Sequence, residues 1–95
     1  MRVRLSTLIR GDLEAIADYI AQDNPERAVT FIQEIRREFA RIGRNPLLYR
    51  LRPEIAPDVR MAIAGQYVIL FRVAGKLVMI ERVVYGGRDL PPLLQ

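Results

Sequence analysis

The side chains able to do chemistry in this sequence are arginines, carboxylates and tyrosines, because the chain contains no histidine and no cysteine. That composition removes the usual near-neutral general base, the thiolate nucleophile, the disulfide and the commonest transition-metal ligands. An ordinary hydrolase or metalloenzyme is therefore disfavoured, and neither a metal site nor a cofactor is expected. Fourteen of the fifteen cations are arginine, Lys76 is the lone lysine, and the formal charge is +4. A guanidinium is a planar fork that grips carboxylate or phosphate in two places, so an acidic protein partner and a nucleic-acid complex both suit this charge. A GC-rich genome would also raise the arginine total, so only the positions of individual arginines carry information.

Arg60 and Arg88 have a structural alternative: either could pair with Asp58, Glu81 or Asp89 at the surface, an interaction of ~0–1 kcal/mol. Glu81-Arg82 breaks the alternation of the segment around it and reads as a β-bulge in preference to an acid–base pair. Tyr85 reads as a ring packed on a sheet with its hydroxyl in water.

The elements that must position these residues follow from periodicity. Met1 to Leu5 alternates polar and apolar residues and meets Ser6, which predicts a short strand running into a helix cap. Leu13, Ile16, Ala17 and Ile20 recur at helical spacing, with Asp12, Glu14 and Asp18 on the solvent side. Asp23-Asn24-Pro25 punctuates the chain: Asn24 can cap a second helix whose first position is Pro25. The stripe of that helix is Ala28, Phe31, Ile32, Ile35, Phe39 and Ile42, and it ends near Gly43 and Pro46, where Arg41 and Arg44 complement its C-terminal dipole. Residues 45 to 58 hold Pro46, Pro53 and Pro57, a composition that predicts an irregular surface connection.

Three strands follow, Val59–Ala64, Tyr67–Val73 and Leu77–Tyr85, separated by Gly65-Gln66 and a turn at Gly75. The reading is an α+β fold: an N-terminal strand and an α-helical hairpin packed on one face of a small antiparallel β-sheet, as one domain over 1–95. In the middle strand Tyr67, Ile69, Phe71 and Val73 share one face, and Val68, Leu70 and Arg72 the other. Two helices cover one side of such a sheet, so Val68, Leu70 and Arg72 are expected at the centre of an exposed apolar binding surface, unless the tail 89–95 folds over it. The longest apolar run is far short of the ~20 residues of a membrane helix, and Ser6, Thr7, Arg10, Gly11 and Asp12 interrupt any signal-peptide core. A cytoplasmic protein is expected.

The element order, together with Asp12-Leu13-Glu14, Asp23-Asn24-Pro25, Asn45-Pro46, Val59-Arg60, Tyr67 to Val73 and the closing Tyr85-Gly-Gly-Arg88-Asp89-Leu90, resembles the ParE/RelE toxin superfamily over nearly the whole chain, closest to its ParE branch. The resemblance implies the toxin half of a type II toxin–antitoxin module. It implies either poisoning of DNA gyrase by binding, as in the ParE branch, or ribosome-dependent cleavage of messenger RNA, as in the RelE branch. A ribonuclease of this scaffold needs clustered basic residues and a group for proton transfer. Here histidine and the lysine-rich strand are missing, Val68 stands where RelE-like chains favour arginine, and no late tyrosine follows Arg88. Arg60, Arg72 and Arg88 would form the clamp if the chain cuts RNA; gyrase binding is the favoured reading, with Arg82, Arg88 and Leu90 expected to touch the target. An inert homologue that only binds antitoxin is the third reading. The resemblance further implies a neighbouring cognate antitoxin, acidic or of ribbon-helix-helix, ParD-like type. That partner is expected to contact Val68, Leu70, Arg72, Arg60 and the groove beside the helices, in a heterodimer or heterotetramer, with nucleic acid met only indirectly and no membrane contact.

Overall fold

The computed structural model describes residues 1–87, in the order β1 (Arg2–Leu5), α1 (Ile9–Ala21), α2 (Pro25–Arg44), a 3-10 turn (Pro46–Leu48), β2 (Arg50–Leu51), β3 (Val59–Ala64), β4 (Tyr67–Ala74) and β5 (Leu77–Tyr85). Arg88 and Leu90 lie outside the described residues.

The second helix starts where the sequence places it. Asn24 is extended, its Oδ1 accepts the N–H of Arg27 at 3.1 Å, and Pro25 takes the first helical position. Such a cap contributes about 1 kcal/mol. Ala28, Phe31, Ile35, Phe39 and Ile42 are buried along one face, with Ile32 half-buried beside them. The first helix differs at its start. Leu8, without a side-chain cap, occupies the N-cap position, and Ser6 instead donates its hydroxyl to the Glu81 carbonyl at 2.7 Å. Ser6 therefore ties the end of β1 to β5, and the chain turns once more before the helix begins. Ile9, Leu13 and Ile16 are buried, whereas Ala17 and Ile20 are half-buried. Asp12, expected in solvent, turns inward to the sheet.

The five strands form one sheet in the order β1-β5-β4-β3-β2. It is mixed where an antiparallel sheet was expected: β1 runs parallel to β5, and the remaining pairs are antiparallel. The register Val3↔Val78 directs both valines to the helices and leaves Arg2 and Arg4 on the far face. Gly65 and Gly75, both at positive φ, make the two hairpin turns. Between β4 and β5, Leu70 faces Arg82 while Phe71 faces Ile80, so Glu81 is the extra residue of the expected bulge. The connection 45–58 is less irregular than its prolines suggest, because Arg50 and Leu51 pair with Met61 and Arg60 at the edge of the sheet.

Two apolar layers result. On the helix side, Ile9, Leu13, Phe31, Ile35 and Phe39 meet Ile69, Phe71, Val78 and Ile80, with Tyr67 and Val73 at the margin. On the far side, the expectation of a bare face is not met. Val68 is 7% exposed and Leu70 0%, because Ile55 and Ala56 of the connection fold over β4 and join Val59 and Val84 in a second buried cluster. Covering each such side chain contributes about 1.5–3 kcal/mol. The proline-rich connection thus acts as a lid on half the sheet. Burial there is structural, and Val68 and Leu70 offer no surface while the lid is in place.

Candidate functional site

Of the arginines singled out by the sequence, the three among the described residues, Arg60, Arg72 and Arg82, do not converge. Arg60 shares the helix face with Phe71, and its Nη1 donates to the Tyr49 carbonyl at 2.6 Å. Arg72 points from the opposite face; its Nε donates to the Pro57 carbonyl at 3.3 Å, and its Nη1 lies 3.7 Å from Glu81. Among the described residues Arg60 pairs with no carboxylate, contrary to the surface alternative, since its partner is a backbone carbonyl, whereas Arg72 lies beside Glu81. Arg82 is committed to Asp12 through two hydrogen bonds of 2.8 and 2.9 Å, with its side chain only 20% exposed. That leaves little of its guanidinium free for a target.

Tyr49 and Tyr67 are equally unsuited to proton transfer near neutrality. Burial, then the hydrogen bond its hydroxyl gives Glu38 at 2.8 Å, pushes Tyr49 up to about 12. Burial also raises Tyr67, helped by the nearby Tyr19 and Tyr85 hydroxyls. The Tyr85 ring stands edge-on to Tyr67 with centroids 6.0 Å apart, and the residue is half exposed. Among the described residues no three carboxylates gather as metal ligands.

The feature of the surface best formed for a partner lies on the helical side. A groove of about 750 Å³ runs between the end of β1 and the two helices, floored by Leu5, Ile9, Leu13, Ala17 and Ile32 with Arg10 and Arg36 at its rim. A second depression of about 420 Å³, lined by Ala21, Ala28 and Val29, shares Ala17 and Ile32 with it. The two make one trough along the outer seam of the helix pair. Val29, 60% exposed, lines its second half. A long apolar trough of this kind takes the apolar face of a helix. The sequence did carry a sign of it. Small residues at Ala17, Ala21 and Ala28 keep the seam open, and Leu5 and Val29 are apolar residues that the helix stripes do not use.

The family model for the ParE toxin of the type II toxin–antitoxin system parDE matches residues 3–90. The chain belongs to the ParE toxin family. A solved chain titled as a chromosomal ParDE toxin–antitoxin system from P. aeruginosa matches this ParE-family chain with 27% identity and a TM-score of 0.77, over 90% of this chain and 95% of that one. A comparison with curated protein sequences gave no match. The ParE assignment accounts for the helix pair on a five-stranded sheet and for an expected antitoxin partner. No helix among the described residues is long and apolar enough to cross a membrane.

Proposed function

We propose that this ParE toxin acts by binding DNA gyrase, and that its antitoxin neutralises it by laying a helix in the trough between α1, α2 and the end of β1. The observation that carries the first part is the placement of Arg60 and Arg72 on opposite faces of the sheet, each tied to a backbone carbonyl. A phosphate clamp needs its cations to meet at one point, and these two are separated by the sheet itself. Together with the absence of imidazole and thiol from the chain, this favours contact over side-chain catalysis.

The trough replaces the sheet face as the proposed antitoxin site. Val68 and Leu70 are covered by Ile55 and Ala56, whereas the trough is open and apolar. An antitoxin segment disordered on its own would fold on entering it, and its ordering would offset part of the contact energy. A heterodimer or heterotetramer is the proposed assembly, in the cytoplasm.

Purified gyrase tests the function. Free of antitoxin, the protein should block supercoiling and accumulate cleaved DNA at micromolar concentration, and equimolar antitoxin should restore supercoiling. Inactive mixtures with gyrase, combined with cuts at fixed positions in messages on ribosomes, would move the chain to the ribonuclease reading.

A further inference from the structure

The sheet face turned away from the helices is divided. One half is the apolar layer under Ile55 and Ala56. The other half, toward β1 and the turn between β4 and β5, is cationic. Arg2 and Arg4 project there by strand alternation, since Val3 between them packs with Val78 on the helix side. Lys76 in the turn completes a shallow depression of about 380 Å³ that these three cations line with Leu77. Arg72 lies in the same cross-strand row as Arg4, both registered on Met79.

Charge is concentrated here because the segments that build this half contain no acid: residues 1–11 and 59–80 hold neither aspartate nor glutamate. Of the carboxylates that abut these segments in sequence, Asp12 is held by Arg82 and Glu81 lies beside Arg72. Among the described residues no carboxylate comes within salt-bridge distance of Arg2, Arg4 or Lys76. Three like charges held together without counter-ions repel one another, and a polyanion relieves that repulsion.

We infer that this edge binds the phosphate backbone of duplex nucleic acid, without reading its sequence. Residues two apart on a strand are separated by about 6.7 Å, a repeat that lets Arg2 and Arg4 meet successive phosphates along one strand. Single-stranded nucleic acid is normally gripped by aromatic stacking as well as charge. This half of the face has no aromatic side chain, because Tyr67 and Phe71 of β4 point to the helices. An acidic peptide would need apolar anchors, and Leu77 and Met79 are half-buried in the sheet. Backbone contact alone positions a protein on a duplex and carries no base preference. Where nucleic acid is expected from the sequence only through partners, this edge gives the chain a contact of its own, whether or not gyrase is the target.

Fluorescence anisotropy with short labelled duplexes of unrelated sequence, in DNA and in RNA, tests it on the full-length protein. Binding should be alike for different sequences, and log affinity should fall against log salt with a slope of about −2 to −3, for three phosphate contacts. R2Q/R4Q/K76Q should weaken binding about tenfold or more and flatten that slope. R36Q/R37Q/R44Q on α2 removes the same charge elsewhere and should change affinity less than about threefold. The comparison of DNA with RNA shows which duplex the edge prefers. The inference is overturned if neither duplex binds, if the two triple variants lose affinity equally, or if a labelled polyglutamate binds through Arg2, Arg4 and Lys76 more tightly than either duplex. Circular dichroism on both variants establishes that each is folded, and all six substituted side chains are exposed.

Discussion

The carboxylate of Asp12 on α1 accepts two hydrogen bonds from the Arg82 guanidinium of β5, at 2.8 and 2.9 Å, and a third from the backbone N–H of Val83 at 2.9 Å. Past Ile80, β5 keeps β4 on one side, but among the described residues its other edge has no strand beside it, because β1 has already turned into the helix region. Asp12 therefore supplies an acceptor that a neighbouring strand would have given, and fastens helix to sheet at the bulge. The same hydrogen bond holds Arg82 above its ordinary pKa, against the opposing effect of burial. Removing one member of such a pair leaves the other covered without a partner.

Asp12→Ala is accordingly expected to cost about 2–3 kcal/mol, less than a fully buried pair because Arg82 keeps some water. For a domain of this size that corresponds to a fall in Tm of roughly 10–20 °C. Urea unfolding of Asp12→Ala, Arg82→Ala and the double variant measures it. The double variant should lose much less than the sum of the two singles; additivity would mean the pair does not act as a unit.

Leu70→Ala separates a buried layer from an exposed interface. With Leu70 at 0% exposure under Ile55 and Ala56, truncation opens a cavity and should cost about 2–5 kcal/mol. A loss below about 0.5 kcal/mol would place the side chain at the surface.

Antitoxin affinity should respond to Ala17→Arg. Ala17 lines both halves of the trough and is half-buried on α1, so an arginine there fills the seam without entering the core. Affinity for the cognate antitoxin, measured by titration calorimetry, should drop at least about tenfold while the melting curve changes little. Unchanged affinity would direct the search for the interface to another surface.

Alkaline pH should weaken the fold through Tyr49. Its hydroxyl donates to Glu38, and with burial this raises its pKa to about 12, against about 10 for an unfolded tyrosine. Between those values the folded chain keeps a proton that the unfolded chain releases. This contribution is fully present below about pH 10 and is lost as pH rises toward 12. In Tyr49→Phe the stability lost over that window should be smaller than in the parent protein, and denaturant midpoints at pH 8, 10 and 11 would show whether it is.

How far the fold could be read from sequence depended on how local each signal was. The Asn24-Pro25 cap, the stripe of α2 and the bulge at Glu81 are set by residues near one another in the chain, and all three were legible. The parallel pairing of β1 with β5 joins segments 75 residues apart, as Arg2 to Leu77 shows, and no local pattern specifies it. The lid formed by Ile55 and Ala56 was missed for a different reason. Prolines 53 and 57 mark the connection as irregular, but irregular backbone can still deliver apolar side chains to a sheet. Asp12 was placed in solvent because helical periodicity treats a carboxylate as outward, while its acceptors were needed by a strand end that only the tertiary fold creates. The apolar trough follows from small residues whose role is to leave space, a property that stripe counting does not score.

Gly43 shows how closely α2 approaches β1, and yields the sharpest steric prediction. A Cβ built there would lie 2.5 Å from Val3 Cγ2 and 3.2 Å from the Met1 carbonyl oxygen, while the Gly43 carbonyl accepts a hydrogen bond from the Met1 ammonium at 2.7 Å. Intrinsic helix propensity favours alanine over glycine by up to about 1 kcal/mol, but overpacking of this kind costs about 1–3 kcal/mol. The clash should win, so Gly43→Ala is expected to destabilise the protein. Val3→Ala removes the methyl that the new Cβ would meet. In that background Gly43→Ala should cost at least about 1 kcal/mol less than it does alone, because only the backbone contact and the propensity gain remain. Urea midpoints for the two single variants and the double variant give the cycle. Stabilisation by Gly43→Ala in both backgrounds would mean that helix and strand do not meet at this point.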